Sequence, residues 1–236
     1  MSNPIAENFM EIEILFTIVI LILSIVLHEV AHGYAALWLG DQTAKRAGRL
    51  TLNPIPHMDL FGSFILPALM ALSGAGVIGW AKPVPINPYN FRDQKWGEAI
   101  VGAAGPMTNL LIAVFFAILI RLQAADLAIP QEVAEVGAVF IYINIILMLI
   151  NLIPIPPLDG SKILSALLPF HLQRRYLEFQ NLIYSLGPLG LIMVIFFIVI
   201  FISRFIFPLM IFLSSFLTGL SPTEFGWLIS NFFGGL

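Results

Sequence analysis

The stretch Ile14-Leu15-Phe16-Thr17-Ile18-Val19-Ile20-Leu21-Ile22-Leu23-Ser24-Ile25-Val26-Leu27 carries no charged side chain and runs straight into His28-Glu29-Val30-Ala31-His32. A bilayer core takes about 20 apolar helical residues, so this run crosses one if its helix continues through the ionisable residues to Leu39. The rest of the chain has the same character. Of 236 residues 59% are apolar, the mean hydropathy is +0.95, and only 11% are charged. Soluble proteins are roughly 45–50% apolar and about 25% charged. Too little polar surface exists to cover a water-soluble globule, which excludes a soluble enzyme, a disordered chain and a basic nucleic-acid binder. There is no cysteine, hence no disulfide and no thiol chemistry. Residues 1–13 contain no Lys or Arg, so no cleavable signal peptide is expected.

Six stretches lack Asp, Glu, Lys and Arg: 14–28, 60–81, 99–120, 136–158, 179–203 and 205–223. They predict an all-α polytopic membrane protein with about five to six transmembrane helices, folded as a single domain over 1–236. Gly and Pro interrupt the apolar segments at 53–56, 74–88 and 154–160. Irregular backbone at membrane depth is tolerated only inside protein or beside water, so these breaks point toward a site. If 60–81 dips in and returns to its own side, nine of the ten cations between Lys45 and Arg175 (Lys45, Arg46, Arg49, Lys82, Arg92, Lys95, Lys162, Arg174, Arg175) share one face, and of these ten only Arg121 opposes them. The positive-inside rule favours that arrangement and makes the shared face cytoplasmic. A full span paired with a buried returning strand gives the same sidedness.

Positions four apart stack on one helical face, so His28 and His32 can both bind one metal ion. Glu29 shares that general face and can act beside the ion as a base. H-E-x-x-H on a helix is a zinc-hydrolase pattern; the bland alternative is two amphipathic histidines and a glutamate at a helix end. Intramembrane ionisable residues cost on the order of 2.5–3.5 kcal/mol each on insertion scales, and a metal compensates that cost. A catalytic zinc takes three protein ligands and keeps one position open. Without cysteine the third ligand is His, Asp or Glu, and Asp159 is the better candidate than His57 or His171. It follows Asn151-Leu152-Ile153-Pro154-Ile155-Pro156-Pro157-Leu158, where prolines break the helix, and precedes Gly160, which permits a sharp bend. Its bland role is an N-cap.

With these residues in place the chain resembles the site-2 protease family of intramembrane zinc metalloproteases, in its compact form without a PDZ domain. The resemblance rests on His28-Glu29-x-x-His32, on Asn151…Pro154…Leu158-Asp159-Gly160, and on Gly105-Pro106-Met107-Thr108-Asn109, similar to the family's core helix. It implies one Zn2+ per chain on His28, His32 and Asp159, with Glu29 as the catalytic glutamate. The implied activity is hydrolysis of peptide bonds in or near transmembrane segments, in a multi-pass protein of a bacterial-type cytoplasmic membrane with its active site toward the cytoplasm. The partners implied are a transmembrane protein or peptide substrate and the lipid bilayer, with no nucleic acid. The catalytic core is expected over about 10–165 and accessory spans over about 179–223. Asn109 is either a substrate-side residue or an interhelical hydrogen bond. A non-catalytic metal-binding protein or transporter on the same scaffold is the rival reading.

Residues 48–54 and 81–88 read as short strands or extended loops, predicting a re-entrant or β-hairpin segment beside the site. Val84 and Ile86 are candidates to pair with an unwound substrate strand; the alternative is a structural plug. Asp59 is expected to cap a helix from Leu60 rather than join His57 in a second metal site. Lys162, Arg174 and Arg175, with Leu164, Leu167 and Leu168, suggest an interfacial helix facing anionic headgroups.

Overall fold

The computed structural model describes residues 4–59, 62, 81–127 and 129–233. The chain begins with α1 (Pro4–Trp38), which carries the apolar run and both histidines on one uninterrupted helix. The short α2 (Thr43–Arg46) follows. The helix α3 (Gln94–Ala124) starts where the Asp93 carboxylate accepts from the Trp96 amide at 3.1 Å. After it come α4 (Gln131–Asn151), α5 (Asp159–Leu167) and α6 (Phe170–Ser185). The last elements are α7 (Pro188–Phe201), a π-helical turn (Ile202–Ile206), α8 (Phe207–Thr218) and α9 (Pro222–Phe232).

Among the described residues three helices, over Ile12–Trp38, Lys95–Ala124 and Gln131–Asn151, are long and apolar enough to cross a membrane. A fourth arises if Arg204–Thr218 and Pro222–Phe232, bent by 95° at their junction, count as one span. The expected re-entrant segment at 60–81 lies almost wholly outside the described residues. Among the described residues there is no strand: 48–54 is irregular, with a turn and bends, and 81–87 forms neither a helix nor a ladder. The reason lies in Lys82-Pro83-Val84-Pro85-Ile86-Asn87-Pro88. Its prolines remove every second or third amide, and side chains take two of the four that remain, those of Val84 and Asn87.

The helix α3 packs against α1, α4 and α5 and is the centre of the molecule. Its contact with α4 is built from small residues: Ala113 and Ala117 on one side, Ala134 and Ala138 on the other, all buried. In a bilayer, where lipid tails are as apolar as leucine, small residues drive helix association by letting backbones approach. Larger apolar side chains such as Leu15, Phe16, Leu111 and Phe115 point outward. Two polar links fix the arrangement. Buried Asn144 of α4 donates to Ser24 Oγ of α1 at 2.9 Å, one turn from His28. Arg121, expected to lie opposite the nine cations named above, donates to the carbonyls of Leu217 (2.6 Å) and Phe216 (2.8 Å), satisfying the end of α8.

Candidate active site

The fold brings three distant donors together. His28 Nε2 and His32 Nε2 lie 3.0 Å apart on α1. Asp159 Oδ2, at the start of α5, lies 3.2 Å from the first and 3.1 Å from the second. The three residues are only 6%, 4% and 6% exposed. A tetrahedral zinc with Zn–N of about 2.0–2.1 Å spaces its ligands about 3.3 Å apart, so this triangle has the size of one face of such a site.

The partners of the other ring nitrogens favour one tautomer of each histidine. His32 Nδ1 is 2.6 Å from the Val101 carbonyl, which can only accept, so Nδ1 carries the hydrogen. His28 Nδ1 meets Asn109 Oδ1 at 3.2 Å in the same sense. In neutral imidazoles both Nε2 atoms then present bare lone pairs, to each other and to a carboxylate oxygen. Three acceptors converging without a shared proton call for a cation. Metal-bound histidines characteristically donate their second N–H to a carbonyl in this way. The donor set therefore fits zinc.

Two glycines permit the approach. A Cβ on Gly105 would fall 2.5 Å from both His28 Cε1 and His32 Nε2, so only glycine lets α3 pass over the imidazoles. A Cβ on Gly160 would collide with the Leu152 carbonyl, which the proline-rich 152–158 loop folds back against α5. Glycine at both places is a requirement of packing.

Glu29 sits beside this cluster and outside the triangle. Its Oε2 accepts the Val84 amide at 2.9 Å. The loop that supplies the amide is clamped along its length. Buried Arg49 donates to the carbonyls of Lys82 (2.7 Å) and Pro83 (3.3 Å), and the Lys82 amide donates to the His57 carbonyl at 2.8 Å. Fully buried Asp41 accepts from the Asn87 amide (2.8 Å), Asn90 Nδ2 (2.7 Å), the Thr43 amide (3.1 Å) and Thr43 Oγ1 (2.5 Å). Burial pushes the Asp41 carboxyl up, but the bonds from Thr43, Asn87 and Asn90 outweigh it and hold the group below its ordinary range. With the folded value below the unfolded one, Asp41 stabilises the fold above the usual carboxylate range and loses that contribution as pH falls through the depressed value. Thermal unfolding in detergent should show wild type more stable than Asp41→Asn at pH 6. The gap should shrink below about pH 4; a gap that ignores pH would contradict this.

The remaining candidates divide. Asn109 is fully buried and meets His28, the interhelical alternative named above. Val84 is buried behind Glu29, and Ile86 is half-buried on the same loop. His57 is buried with Nε2 3.0 Å from the Thr51 carbonyl, away from the triangle, and Asp59 Oδ1 accepts the Gly62 amide at 2.7 Å, as a cap does. His171 is exposed on α6. Lys162, expected to face headgroups, is turned toward Asp159, while Arg174 and Arg175 are exposed on α6. Sequence reasoning missed Asp41, Arg49 and the Val101 carbonyl. Asp41 alone left a signal, as an acid directly after Gly40 in an otherwise cationic segment.

Comparison with known proteins bears on this geometry. Residues 123–197, which include Asp159, match Peptidase family M50. The chain is 38% identical over 159 residues to the candidate zinc metalloprotease YwhC of Bacillus subtilis, covering 65% of this chain and 69% of that protein. The chain belongs to peptidase family M50, the site-2 protease family. It is also 34% identical over 155 residues to the candidate zinc metalloprotease Rip2 of Mycolicibacterium smegmatis, covering 65% of this chain and 57% of that one. With Rip2 of Mycobacterium tuberculosis it shares 29% over 184 residues, covering 77% and 64%. No solved structure matches this M50 member.

Proposed function

We propose that this M50 member hydrolyses peptide bonds within or beside transmembrane segments of membrane-protein substrates. His28, His32 and Asp159 would hold one zinc ion, and Glu29 is the catalytic general base. The observation that carries this reading is the buried triangle of His28, His32 and Asp159 ligand atoms, with the Glu29 carboxylate on the residue next to His28. Zinc, when bound, lowers the pKa of water to about 7 and polarises a carbonyl. Glu29 takes the proton of the attacking water and delivers it to the leaving amine as the C–N bond breaks. The Val84 amide on Oε2 orients the carboxylate and leaves Oε1 for the transfer. Asn109 and the Val101 carbonyl hold the two imidazoles in the ligating tautomer.

A helical substrate has its carbonyls tied in hydrogen bonds, so the segment must unwind before attack, and helix-weak spans are the expected substrates. The 81–88 loop is the place we propose for the unwound strand to lie. Pro83 and Pro85 have no amide and Val84 gives its own to Glu29, so Ile86 supplies the N–H on that edge. Two variants separate the roles. Val84→Pro removes the bond to Glu29 and should lower kcat about 10-fold or more without loss of zinc. Ile86→Pro should chiefly raise KM. Equal, small effects of both on kcat and KM would reject this assignment.

The reading takes residues 1–236 as one domain with five to six spans, counting 60–81, and the accessory helices over about 179–223. The shared face of nine cations supports a site toward the cytoplasm of a bacterial-type membrane. The test is cleavage of a model transmembrane peptide by purified protein, read by product mass beside a Glu29→Gln control. Product from wild type alone supports the proposal. Equal product from both rejects it.

A further inference from the structure

The two oxygens of Asp159 face different partners. Oδ2 completes the triangle with His28 and His32, whereas Oδ1 lies 3.0 Å from Lys162 Nζ, one turn along α5. Asp159 is buried but the Lys162 side chain is 41% exposed, so the ammonium stands at the wet edge of the site. Its place is fixed by packing: a Cβ on Gly102 of α3 would meet Lys162 Cβ and the Asp159 carbonyl, each at 3.1 Å. Both ends of the Asp159–Lys162 turn are therefore held against the core helix.

We propose that Lys162 is a positioning residue that keeps Asp159 a one-oxygen ligand. This rests on the zinc-protease reading of the triangle. An aspartate can give a metal one oxygen or both, and two oxygens with two imidazoles fill four positions. A catalytic zinc needs three filled and one open. A protonated lysine has three donors and no acceptor, so it cannot ligate the ion but can occupy Oδ1. Occupying Oδ1 withholds the second oxygen and preserves the open position. The same ammonium repels a dication, so it acts against tight metal binding while favouring turnover.

That opposition gives the test its signature. In Lys162→Met, Oδ1 is released and a cation beside the site is lost. Zinc affinity, measured by chelator competition, is expected to hold or tighten, while kcat falls about 10–100-fold, the range of outer-shell changes. X-ray absorption at the zinc edge should gain an oxygen, and the visible bands of the cobalt-loaded protein should weaken as the ion leaves four-coordination. Lys162→Arg, which can still hold Oδ1, should recover most of the wild-type spectrum and kcat. An unchanged spectrum and kcat in Lys162→Met overturn the proposal. So does a parallel loss of zinc affinity and kcat in both variants, which is the mark of a merely structural role. Wild type that binds no zinc overturns the metal reading and this proposal together. Wild type that binds zinc and cleaves, beside an unaltered Lys162→Met, overturns the role of Lys162 alone.

Discussion

With Glu29 as the proposed general base, Glu29→Gln is expected to lower the rate of transmembrane-substrate cleavage by about 10²–10⁴-fold, the usual contribution of such a group, and to leave zinc content at the wild-type level. The two halves of that result come from different contacts. Glu29 is not part of the His28, His32 and Asp159 triangle, so losing its charge removes no ligand. A glutamine is the same size and still offers a carbonyl oxygen to the Val84 amide, 2.9 Å away in the native protein. The clamped 81–90 loop therefore has no reason to move, and what disappears is the capacity to take a proton. Single-turnover cleavage with parallel metal analysis reads both quantities. Full activity in the variant would refute the assignment of the base, and loss of zinc would mean that Glu29 is a ligand.

Gly105→Ala is expected to cut zinc affinity by at least the about 10–100-fold that outer-shell changes cost. The added methyl would fall 2.5 Å from His28 Cε1 and His32 Nε2, so either the imidazoles rotate or α3 backs away. Backing away loosens the close contact of α3 with α1 and draws the Val101 carbonyl from His32 Nδ1. Either response spoils the triangle, and overpacking alone costs about 1–3 kcal/mol. Gly226→Ala is the control, since a Cβ at that helical glycine meets nothing within 4 Å. Chelator competition on both variants, with helicity checked by circular dichroism, should separate them sharply. Equal affinities would mean that α3 does not press on the metal site.

Local periodicity explains which parts of this molecule were legible before its fold. His28 and His32 share a helix, and their spacing of four is a property of the helix itself. Asp159 was legible because prolines and Gly160 mark a backbone reversal in the chain itself. The partners that make these residues a site were less so. The Val101 carbonyl belongs to no side chain, and which face of α3 turns toward α1 is decided by packing of Ala113, Ala117, Ala134 and Ala138. Residues 81–88, bounded by turn residues, read as a short strand or an extended loop, and the loop prevails because the Val84 and Asn87 amides go to Glu29 and Asp41, a tertiary choice that overrides a weak local preference. Lys162 read as one more interfacial cation, because nothing in its sequence tells a headgroup partner from a carboxylate three positions back.

The most direct measurement is the zinc stoichiometry of purified, zinc-replete wild type beside Asp159→Ala. One ion per chain in wild type, and substoichiometric, weakly held zinc in the variant, is the predicted result. Zinc-free wild type, or a variant that keeps one tightly bound ion, would contradict the account.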